Sequence, residues 1–346
     1  MNLSIVIPVY HVAPYIEECL RSVRRQTYTG SMECLIVDDC GTDDSMAIAK
    51  RTIAAYEGPI IFLMFHHERN LGLSAARNTG TLAAKGDYIF YLDSDDVITE
   101  DCIALLMAKA EEWPEAELVQ GNSCCHALTG ETSVFVKQYA SAIACTNDEV
   151  RKCYYRNRVD TVWNKLIRRD FLIDHQLFNK EGIIHEDILW VFYLLKYLNK
   201  VCFVSTVTYH QRKRPNSITT GTDKVTEACH WAIIYDDMLS NLTPGYEKEE
   251  YVYHTKWFGS VLLGFFRYDQ GLKETFRLCW EMSRQYGDGK VRFKLAVYRF
   301  LGSFEYGWVV VALWRRVKTP TMILRDIKRL WRPSCPPALL CSCQRL

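Results

Sequence analysis

The sequence predicts an α/β domain with a mostly parallel central sheet flanked by helices, followed by a helical C-terminal region. Short runs in which every residue is apolar are typical of strands buried on both faces. In this sequence such runs are followed by amphipathic segments with apolar residues at helical spacing. Aspartates follow two of these runs, at the strand ends where open α/β sheets bind ligands. A chain of 346 residues has room for one such domain at residues 1–220 and a smaller helical region at 221–346.

The predicted elements of the first domain follow one another in β–α order. Leu3–Tyr10 is an apolar strand, and Pro14–Gln26 is a helix with proline in its first turn and an apolar stripe on one face. Cys34–Val37 and Tyr88–Leu92 are further strands, and Thr99–Ala110 is a helix. This order is typical of a nucleotide-binding half sheet.

Paired aspartates stand at two of the predicted strand ends. Asp38 and Asp39 follow one strand, and Asp93, Asp95 and Asp96 follow a later one. Carboxylates crowded in this way repel one another unless a hard divalent cation shares their charge. The alternative interpretation is that these acids cap the following helices and are otherwise solvated. A single acidic strand end leaves both interpretations open, and the presence of a second favours a ligand site.

Seven sequence blocks, in order, carry a family resemblance across about 220 residues. The blocks are I-V-I-P-V-Y at 5–10, V-D-D-C-G-T-D-D-S at 37–45, N-L-G-L-S-A-A-R-N at 70–78, Y-L-D-S-D-D at 91–96, V-W-N-K-L-I-R-R-D-F at 162–171, I-H-E-D-I-L-W at 184–190 and Y-H-Q-R-K-R-P-N-S-I-T at 209–219. Together they resemble the family 2 inverting glycosyltransferases, which have the GT-A fold. The later blocks are most similar to bacterial members that build capsule, exopolysaccharide and lipopolysaccharide repeat units.

The resemblance implies a site for a nucleoside-diphosphate sugar, above all a UDP-sugar. Pro8 and Tyr10 would frame the base and ribose, and Asp39 would accept a hydrogen bond from the pyrimidine N3–H. Asp93 would bind the ribose or a metal-bound water, and Arg77 would contact the nucleotide or its diphosphate. The structural alternatives are that Asp39 caps a helix and that Arg77 is a surface residue paired with a neighbouring acid.

The same resemblance implies Mn²⁺ or Mg²⁺ as the cofactor, held by Asp95. His210 is a candidate metal or phosphate contact, although a histidine beside a strand is more often structural. Arg212 and Arg214 follow it in a loop that could close over the diphosphate, because the guanidinium fork donates several hydrogen bonds to phosphate.

Glu186 and Asp187 precede an apolar stretch at helical spacing, Ile188–Leu195. The resemblance implies that Asp187 is the general base that takes the acceptor proton during in-line attack, with Glu186 beside it near the acceptor or diphosphate. Acids also stabilise helix starts through the helix dipole, which is the structural alternative. Trp163 could offer an aromatic face to the acceptor sugar, or it could belong to the core.

Charge is distributed unevenly along a chain whose net charge is only +1. Residues 290–332 carry a local charge of +9 and many aromatic side chains, whereas residues 1–289 carry −9. This distribution does not indicate a nucleic-acid binder, and basic aromatic segments are typical of helices on anionic membrane surfaces. We therefore expect membrane contact and, from the resemblance, a polyprenyl-diphosphate-linked glycan as acceptor. Ordinary helix packing with solvated Lys and Arg is the alternative.

The fourteen cysteines predict free thiols rather than disulfides. Many occupy apolar positions, as Cys19 and Cys202 do, and no basic-then-apolar segment precedes the first strand. No C-x-x-C pair occurs, which argues against a structural zinc site. No apolar run reaches the length of a membrane span. We expect a cytoplasmic protein that is peripheral on the inner face of the cell membrane.

Two other functions compete with sugar transfer. Asp93–Val97 also fits the D-x-D-x-[TV] motif of haloacid-dehalogenase-like phosphatases, in which Asp93 would be the nucleophile and Asp95 the acid/base. The chain could instead be a non-catalytic nucleotide-sugar-binding subunit. The motif follows other blocks instead of opening the sheet, which argues against the phosphatase. All the expected acids are present, which argues against the binding subunit.

Overall fold

The computed structural model describes residues 2–126, 132–134, 143–157, 160–214, 217–265 and 270–287, together with positions 289, 291, 292, 295 and 296. The chain divides into two compact units, residues 1–223 and 224–346. The candidate functional residues all belong to the first unit.

The described strands of the first unit form one sheet. Their bounds are β1 Leu3–Val9, β2 Met32–Asp38, β3 Ile61–His66, β4 Tyr88–Tyr91, β5 Val97–Ile98, β6 Leu118–His126, β7 Thr132–Val134, β8 Ile143–Ala144, β9 Lys165–Arg168 and β10 Val201–Arg212. Their order is β3-β2-β1-β4-β9-β6-β10-β5, with β7 on β6 and β8 on β10. β1 to β4 pair in parallel, as do β6 and β10, whereas β9 is antiparallel to both of its neighbours. β5 and β8 are antiparallel to β10, and β7 is antiparallel to β6. The sheet is therefore mixed, and β1 to β4, β6 and β10 run in the same direction, in agreement with the predicted parallel core.

Helices cover both faces of this sheet. Those of the first unit are α1 Ile16–Arg24, α2 Ser45–Ala54, α3 Leu73–Ala83, α4 Cys102–Glu112, α5 Asn147–Asn157, α6 Arg169–Asp174, α7 Glu186–Tyr197 and α8 Ile218–Gly221. On one face, Leu3, Ile5 and Ile7 of β1 pack with the apolar sides of α1 and α4. On the other face, Val6 and Ile89 pack with α5 and α7. Successive residues of β1 thus enter two cores, as expected for a strand that is covered on both faces.

The first helix, α1, ends two residues before its predicted end, because the side chain of Gln26 forms hydrogen bonds at the start of α4. Its amide nitrogen donates to the Thr99 carbonyl at 2.7 Å, and its amide oxygen accepts from the backbone N–H of Ile103 at 2.9 Å. The second contact satisfies one of the unpaired N–H groups at the start of α4. A long-range contact of this kind leaves no local sequence signal.

The second unit contributes α9 Lys224–Ser240, α10 Glu247–Phe265 and α11 Gln270–Met282. The Tyr251 hydroxyl of α10 donates to the Cys279 carbonyl of α11 at 2.6 Å. None of the described helices is long and apolar enough to cross a membrane. The basic segment 290–332 lies outside the described residues apart from positions 291, 292, 295 and 296, so its role at a membrane stays a prediction.

Candidate active site

The two acidic strand ends emerge at the same edge of the sheet. β1 pairs in parallel with β2 on one side and with β4 on the other. Asp39 follows β2, Tyr10 follows β1, and Asp93 comes shortly after β4. Because parallel strands end at one edge, these three side chains start from neighbouring positions.

Asp39 fixes the loop that leads into α3. Its buried carboxylate accepts hydrogen bonds from Leu71 N on Oδ1 and from Gly72 N on Oδ2, each at 2.8 Å, and Oδ1 lies 2.7 Å from His67 Nδ1. Gly72 has a φ of 92°, a conformation that side chains rarely allow. Each carboxylate oxygen has two acceptor positions, so these contacts leave one on Oδ2. Asp39 thus holds the loop before α3 and caps neither α2 nor α3, so its structural role differs from the helix cap of the alternative prediction. One acceptor position is left for a ligand.

Tyr10 presents an aromatic ring just beyond β1. Its side chain is 41% exposed, and the ring stacks on His11 with centroids 4.1 Å apart. His11 Nε2 accepts from Thr42 N at 3.1 Å, which fixes the stack against the loop after β2. Pro8 lies inside β1, opposite Val37 of β2. The exposed ring is suited to contact a base or ribose.

Arg77 connects the D-x-D element with the E-D block. Its side chain is buried in α3, with Nη2 2.7 Å from Asp93 Oδ1 and Nη1 2.6 Å from Glu186 Oε1. Burial alone would lower the pKa of Arg77, but the charges of Asp93 and Glu186 raise it, so the guanidinium stays ionised. Two blocks that are far apart in the sequence therefore meet across one buried cation.

Asp95 carries negative charge that its surroundings neutralise only in part. Arg214 Nε donates to Asp95 Oδ2. Burial and the charge of Asp93 nevertheless raise the pKa of Asp95. A cation bound beside the two neighbouring carboxylates would offset this repulsion.

Asp96 anchors β10 and does not cap a helix. Its Oδ2 accepts from the Tyr209 hydroxyl and its Oδ1 from Arg212 N, each at 2.7 Å. The same hydroxyl accepts from Asp93 N at 3.2 Å. Trp163 stacks on the Tyr209 ring with centroids 4.5 Å apart and an interplanar angle of 15°. Partly buried Trp163 thus packs on the residue that holds the acidic turn.

Arg212 and Arg214 lie over the same aromatic ring. Their guanidinium carbons are 5.3 Å and 5.8 Å from the centroid of Tyr15. Arg212 also donates to Glu18 Oε2 at 2.6 Å. The edge beside Asp95 therefore carries two fork-shaped donors of the type that suits a diphosphate.

Asp187 lies in the first turn of α7 next to Glu186, the partner of Arg77. Its Oδ1 accepts from Ile188 N at 2.9 Å. Burial, and after it the charge of Glu186, raise the pKa of Asp187 to about 8. A carboxylate with such a pKa is a stronger base than an ordinary aspartate, as proton abstraction from a hydroxyl requires.

Lys165 lies within electrostatic reach of Asp187 but was not among the residues predicted from the sequence. The side chain is fully buried, and Nζ donates to the carbonyl and the hydroxyl of Thr161. Burial lowers the pKa of Lys165 to about 7, against the opposing influence of Asp160 and Asp187. The signal that could have indicated it is a lysine at the start of an apolar strand inside a recognised block, V-W-N-K-L.

His210 contacts a different group of side chains. Its Nδ1 lies 2.9 Å from Cys124 Sγ and 2.9 Å from His126 Nε2, both on β6. Burial and then His126 lower the pKa of His210, and burial and then Cys125 raise the pKa of Cys124. The structure brings the other predicted residues to the β1–β2–β4 edge or to the turn that Asp96 anchors, whereas these contacts of His210 are with β6.

The carboxylates of Asp93 and Asp95 fit a hard divalent cation. Asp93 uses Oδ1 for Arg77 and Asp95 uses Oδ2 for Arg214, so among the described contacts each keeps its other side-chain oxygen. Such oxygen donors are the ligands that Mg²⁺ and Mn²⁺ prefer.

Comparison with known sequences identifies a family match and relatives of this chain. Residues 4–175 match the family described as glycosyl transferase family 2. The uncharacterized glycosyltransferase YibD of Escherichia coli is 32% identical over 194 residues, which are 55% of this chain and 55% of that protein. The uncharacterized glycosyltransferase EpsJ of Bacillus subtilis is 29% identical over 221 residues, 63% of this chain and 62% of that protein. The match thus spans less than two thirds of the length of either relative.

Solved structures share the fold at low sequence identity. S. aureus TarS 1–349 in complex with UDP-GlcNAc has a TM-score of 0.62 at 18% identity, covering 87% of this chain and 92% of that one. The mannosyltransferase PcManGT from Pyrobaculum calidifontis in complex with GDP-Man and Mn²⁺ has a TM-score of 0.55 at 13% identity, covering 95% and 87%. At these identities the similarity establishes the fold alone, which is the GT-A fold predicted from the sequence.

Proposed function

Because this chain belongs to glycosyl transferase family 2, we propose that it is an inverting, metal-dependent glycosyltransferase that uses a UDP-sugar. Support for a nucleotide-sugar donor comes from the two structural neighbours, whose complexes hold UDP-GlcNAc and GDP-Man. The family match includes the strand end that carries Asp93–Val97, so the comparisons do not favour a dehalogenase-like phosphatase or a binding subunit.

The observation that carries this proposal is the bridge that Arg77 makes between Asp93 and Glu186. Inverting transfer needs the leaving diphosphate and the attacking hydroxyl on opposite sides of one anomeric carbon. The groups that serve these two partners must therefore lie close to each other. Arg77 joins the D-x-D turn to the residue beside Asp187, so the donor and base ends share one guanidinium.

In the proposed reaction Asp187 accepts the proton of the acceptor hydroxyl. The hydroxyl oxygen forms a bond to the anomeric carbon while the bond from that carbon to the diphosphate oxygen breaks, and the configuration inverts. The pKa of about 8 makes the ionised form of Asp187 a strong enough base to share the proton in the transition state. Lys165, which lies within electrostatic reach of Asp187, favours that ionised form when it is itself protonated.

The donor occupies the edge that β1, β2 and β4 share. Tyr10 contacts the base or ribose, and the remaining acceptor position on Asp39 takes the pyrimidine N3–H. Asp95, with Asp93, would hold the Mn²⁺ or Mg²⁺, which when bound stabilises the leaving nucleoside diphosphate as a Lewis acid. Arg214 neutralises part of the charge on Asp95 in the free protein.

The proposed acceptor is a polyprenyl-diphosphate-linked glycan at the inner face of the cell membrane, with the basic segment 290–332 serving membrane contact. The support is the local charge of +9 over residues 290–332. Each basic residue near an anionic surface contributes up to about 1 kcal/mol, so several acting together give reversible binding that salt weakens. Full-length protein should co-sediment with anionic liposomes at low salt, and protein truncated after Gly289 should not. Equal co-sedimentation of both would remove the tail from this proposal.

The proposed function is tested with a panel of UDP- and GDP-sugars. Release of nucleoside diphosphate is measured with Mn²⁺, with Mg²⁺ and with a chelator. We expect release from at least one UDP-sugar that depends on the cation and rises when an acceptor is added. Release that continues in the presence of a chelator would contradict the proposed metal dependence. Release of phosphate from an aryl phosphate without any nucleotide would favour the phosphatase.

A further inference from the structure

Cys124, His126 and His210 bring three metal-binding atoms together away from the carboxylates. Cys124 Sγ lies 2.9 Å from His210 Nδ1 and 3.4 Å from His126 Nε2, and the two imidazole nitrogens are 2.9 Å apart. The two imidazole rings are nearly parallel, with an interplanar angle of 25°. One ligand atom from each of the three residues can thus be chosen so that all lie within 4.8 Å of one another.

The pairing of β6 with β10 explains why these side chains meet. Cys124 and His126 are two residues apart on β6, so they project from the same face of the sheet. In the parallel register of the neighbouring strand, His210 lies opposite Cys124. His210 alternates with Tyr209, whose hydroxyl holds Asp96 on the other face. The cluster is therefore a product of sheet geometry and lies across the sheet from the contacts of Tyr209.

We propose that Cys124, His126 and His210 form a second metal site, which binds Zn²⁺ or a similar borderline-soft divalent cation. A thiolate and two imidazoles are ligands that zinc prefers, whereas Mg²⁺ and Mn²⁺ prefer carboxylate oxygens. Three protein ligands leave a fourth position for water or a further group.

The observed distances are close to those of a tetrahedral zinc centre. With Zn–N of about 2.0–2.1 Å and Zn–S of about 2.3 Å, such a centre has N···N edges of about 3.3 Å and N···S edges of about 3.6 Å. In the structure the N···N edge is 2.9 Å and the two N···S edges are 2.9 and 3.4 Å, so the ligand atoms need to separate by about 0.2 to 0.7 Å. Cys124 is 4% exposed, and the two histidines are half-buried, so the site is sheltered and still open to an ion.

This assignment gives His210 a role different from that of the metal or phosphate contact at the donor site for which the sequence made it a candidate. It also supplies a zinc site without any C-x-x-C pair, because the ligands come from two strands. A metal here would tie the end of β6 to the part of β10 that continues into Arg212 and Arg214. The predicted effect is to fix the strand that carries the two guanidinium groups.

The test is cobalt titration of the full-length chain, treated with a chelator beforehand and kept in excess Mg²⁺ under anaerobic conditions. We expect one equivalent of Co²⁺ to produce a thiolate-to-cobalt charge-transfer band, and Zn²⁺ to remove it by competition. Cys124→Ser should lose the band. His210→Gln should bind Co²⁺ more than about tenfold more weakly, since tenfold is the lower limit even for residues outside the coordination sphere.

Two further variants keep the result interpretable. Cys145→Ser removes an exposed cysteine and should bind Co²⁺ like the wild type. Asp95→Asn should also keep the band, because the carboxylate site is separate, so a failure of the proposed transferase function leaves this test intact. Circular dichroism of Cys124→Ser confirms that the variant is folded. No charge-transfer band in the wild type, or an unchanged band in folded Cys124→Ser, would overturn the proposal.

Discussion

The strand ends at Asp39 and at Asp95 look alike in the sequence but differ in how the protein neutralises them. Asp39 receives two backbone N–H groups and lies beside His67, so the chain itself supplies almost all of its hydrogen bonds. Asp95 has Arg214 as its side-chain partner and lies close to Asp93, and its pKa is raised. The first end is built to hold a loop, and the second end retains negative charge that a bound cation would compensate. Paired aspartates after a strand therefore do not by themselves define a cation site.

The largest expected effect is on turnover, through loss of the proposed general base Asp187. Arg77 links the neighbouring Glu186 to Asp93 in the acidic turn. Asp187→Asn should lower kcat by about 10²- to 10⁴-fold, the usual contribution of a general base, and leave donor affinity nearly unchanged. Steady-state kinetics and calorimetric titration of UDP measure the two quantities. In the wild type kcat/KM should rise with pH along a limb near 8, because the base acts only when ionised.

Asp174→Asn is the matched control, since Asp174 is exposed at the end of α6. It should keep wild-type turnover. An Asp187→Asn enzyme with most of its turnover would remove this residue from the mechanism, and Glu186 would be the next candidate.

The second expected effect concerns the bridge itself. Arg77→Met leaves Asp93 and Glu186 without their shared cation, and breaking a buried ion pair in this way costs about 3–5 kcal/mol of unfolding free energy. Urea denaturation measures the loss. Arg21→Met removes an exposed pair with Glu17 and should cost no more than about 1 kcal/mol. Equal losses in the two variants would show that the bridge contributes no more than a surface contact.

The third effect is smaller and has opposite signs at the two strand ends. Asp39→Asn should destabilise the protein by about 1–3 kcal/mol, because an amide group cannot accept all three contacts of the carboxylate. Asp95→Asn should stabilise the protein without metal at neutral pH. Because the folded-state pKa of Asp95 is raised, ionising this carboxyl costs more in the folded protein than in the unfolded one, and the cost increases as pH rises. The stability gained by replacing Asp95 with Asn should therefore grow with pH.

Thermal unfolding in the presence of a chelator, between about pH 4 and pH 8, measures both variants. Destabilisation by Asp95→Asn throughout this range would mean that Arg214 already neutralises Asp95 fully. Stabilisation by Asp39→Asn would mean that its loop contacts contribute little.

Local sequence patterns were sufficient to predict the parallel strands β1, β2 and β4 and their acidic edge. Apolar runs such as Ile89–Leu92 determine burial by themselves, and parallel pairing then brings their ends together. Contacts between distant segments could not be predicted. The place of Arg77 between Asp93 and Glu186 depends on how α3 and α7 pack, and the cluster around His210 depends on the register of β6 with β10.

The difference between the two strand ends was also beyond the sequence. It depends on Leu71 and Gly72, whose N–H groups reach Asp39 from a loop thirty residues further along the chain. No comparable pair of backbone donors reaches the carboxylate of Asp95 among the described contacts. An acidic strand end is structural when backbone N–H groups of a distant loop occupy its carboxylate, and it is a candidate cation site when they do not. The identity of the acids does not distinguish the two cases.

The most direct test of this account is calorimetric titration of UDP with and without Mn²⁺, in wild type, Asp39→Asn and Asp95→Asn. The quantity of interest is the ratio of the two affinities, which reports the gain due to the cation alone. We predict that Asp39→Asn binds UDP more weakly in both conditions but keeps the wild-type ratio, whereas Asp95→Asn has a ratio close to one. A wild-type ratio in Asp95→Asn, or an equal loss of the ratio in both variants, would contradict the distinction between the two strand ends.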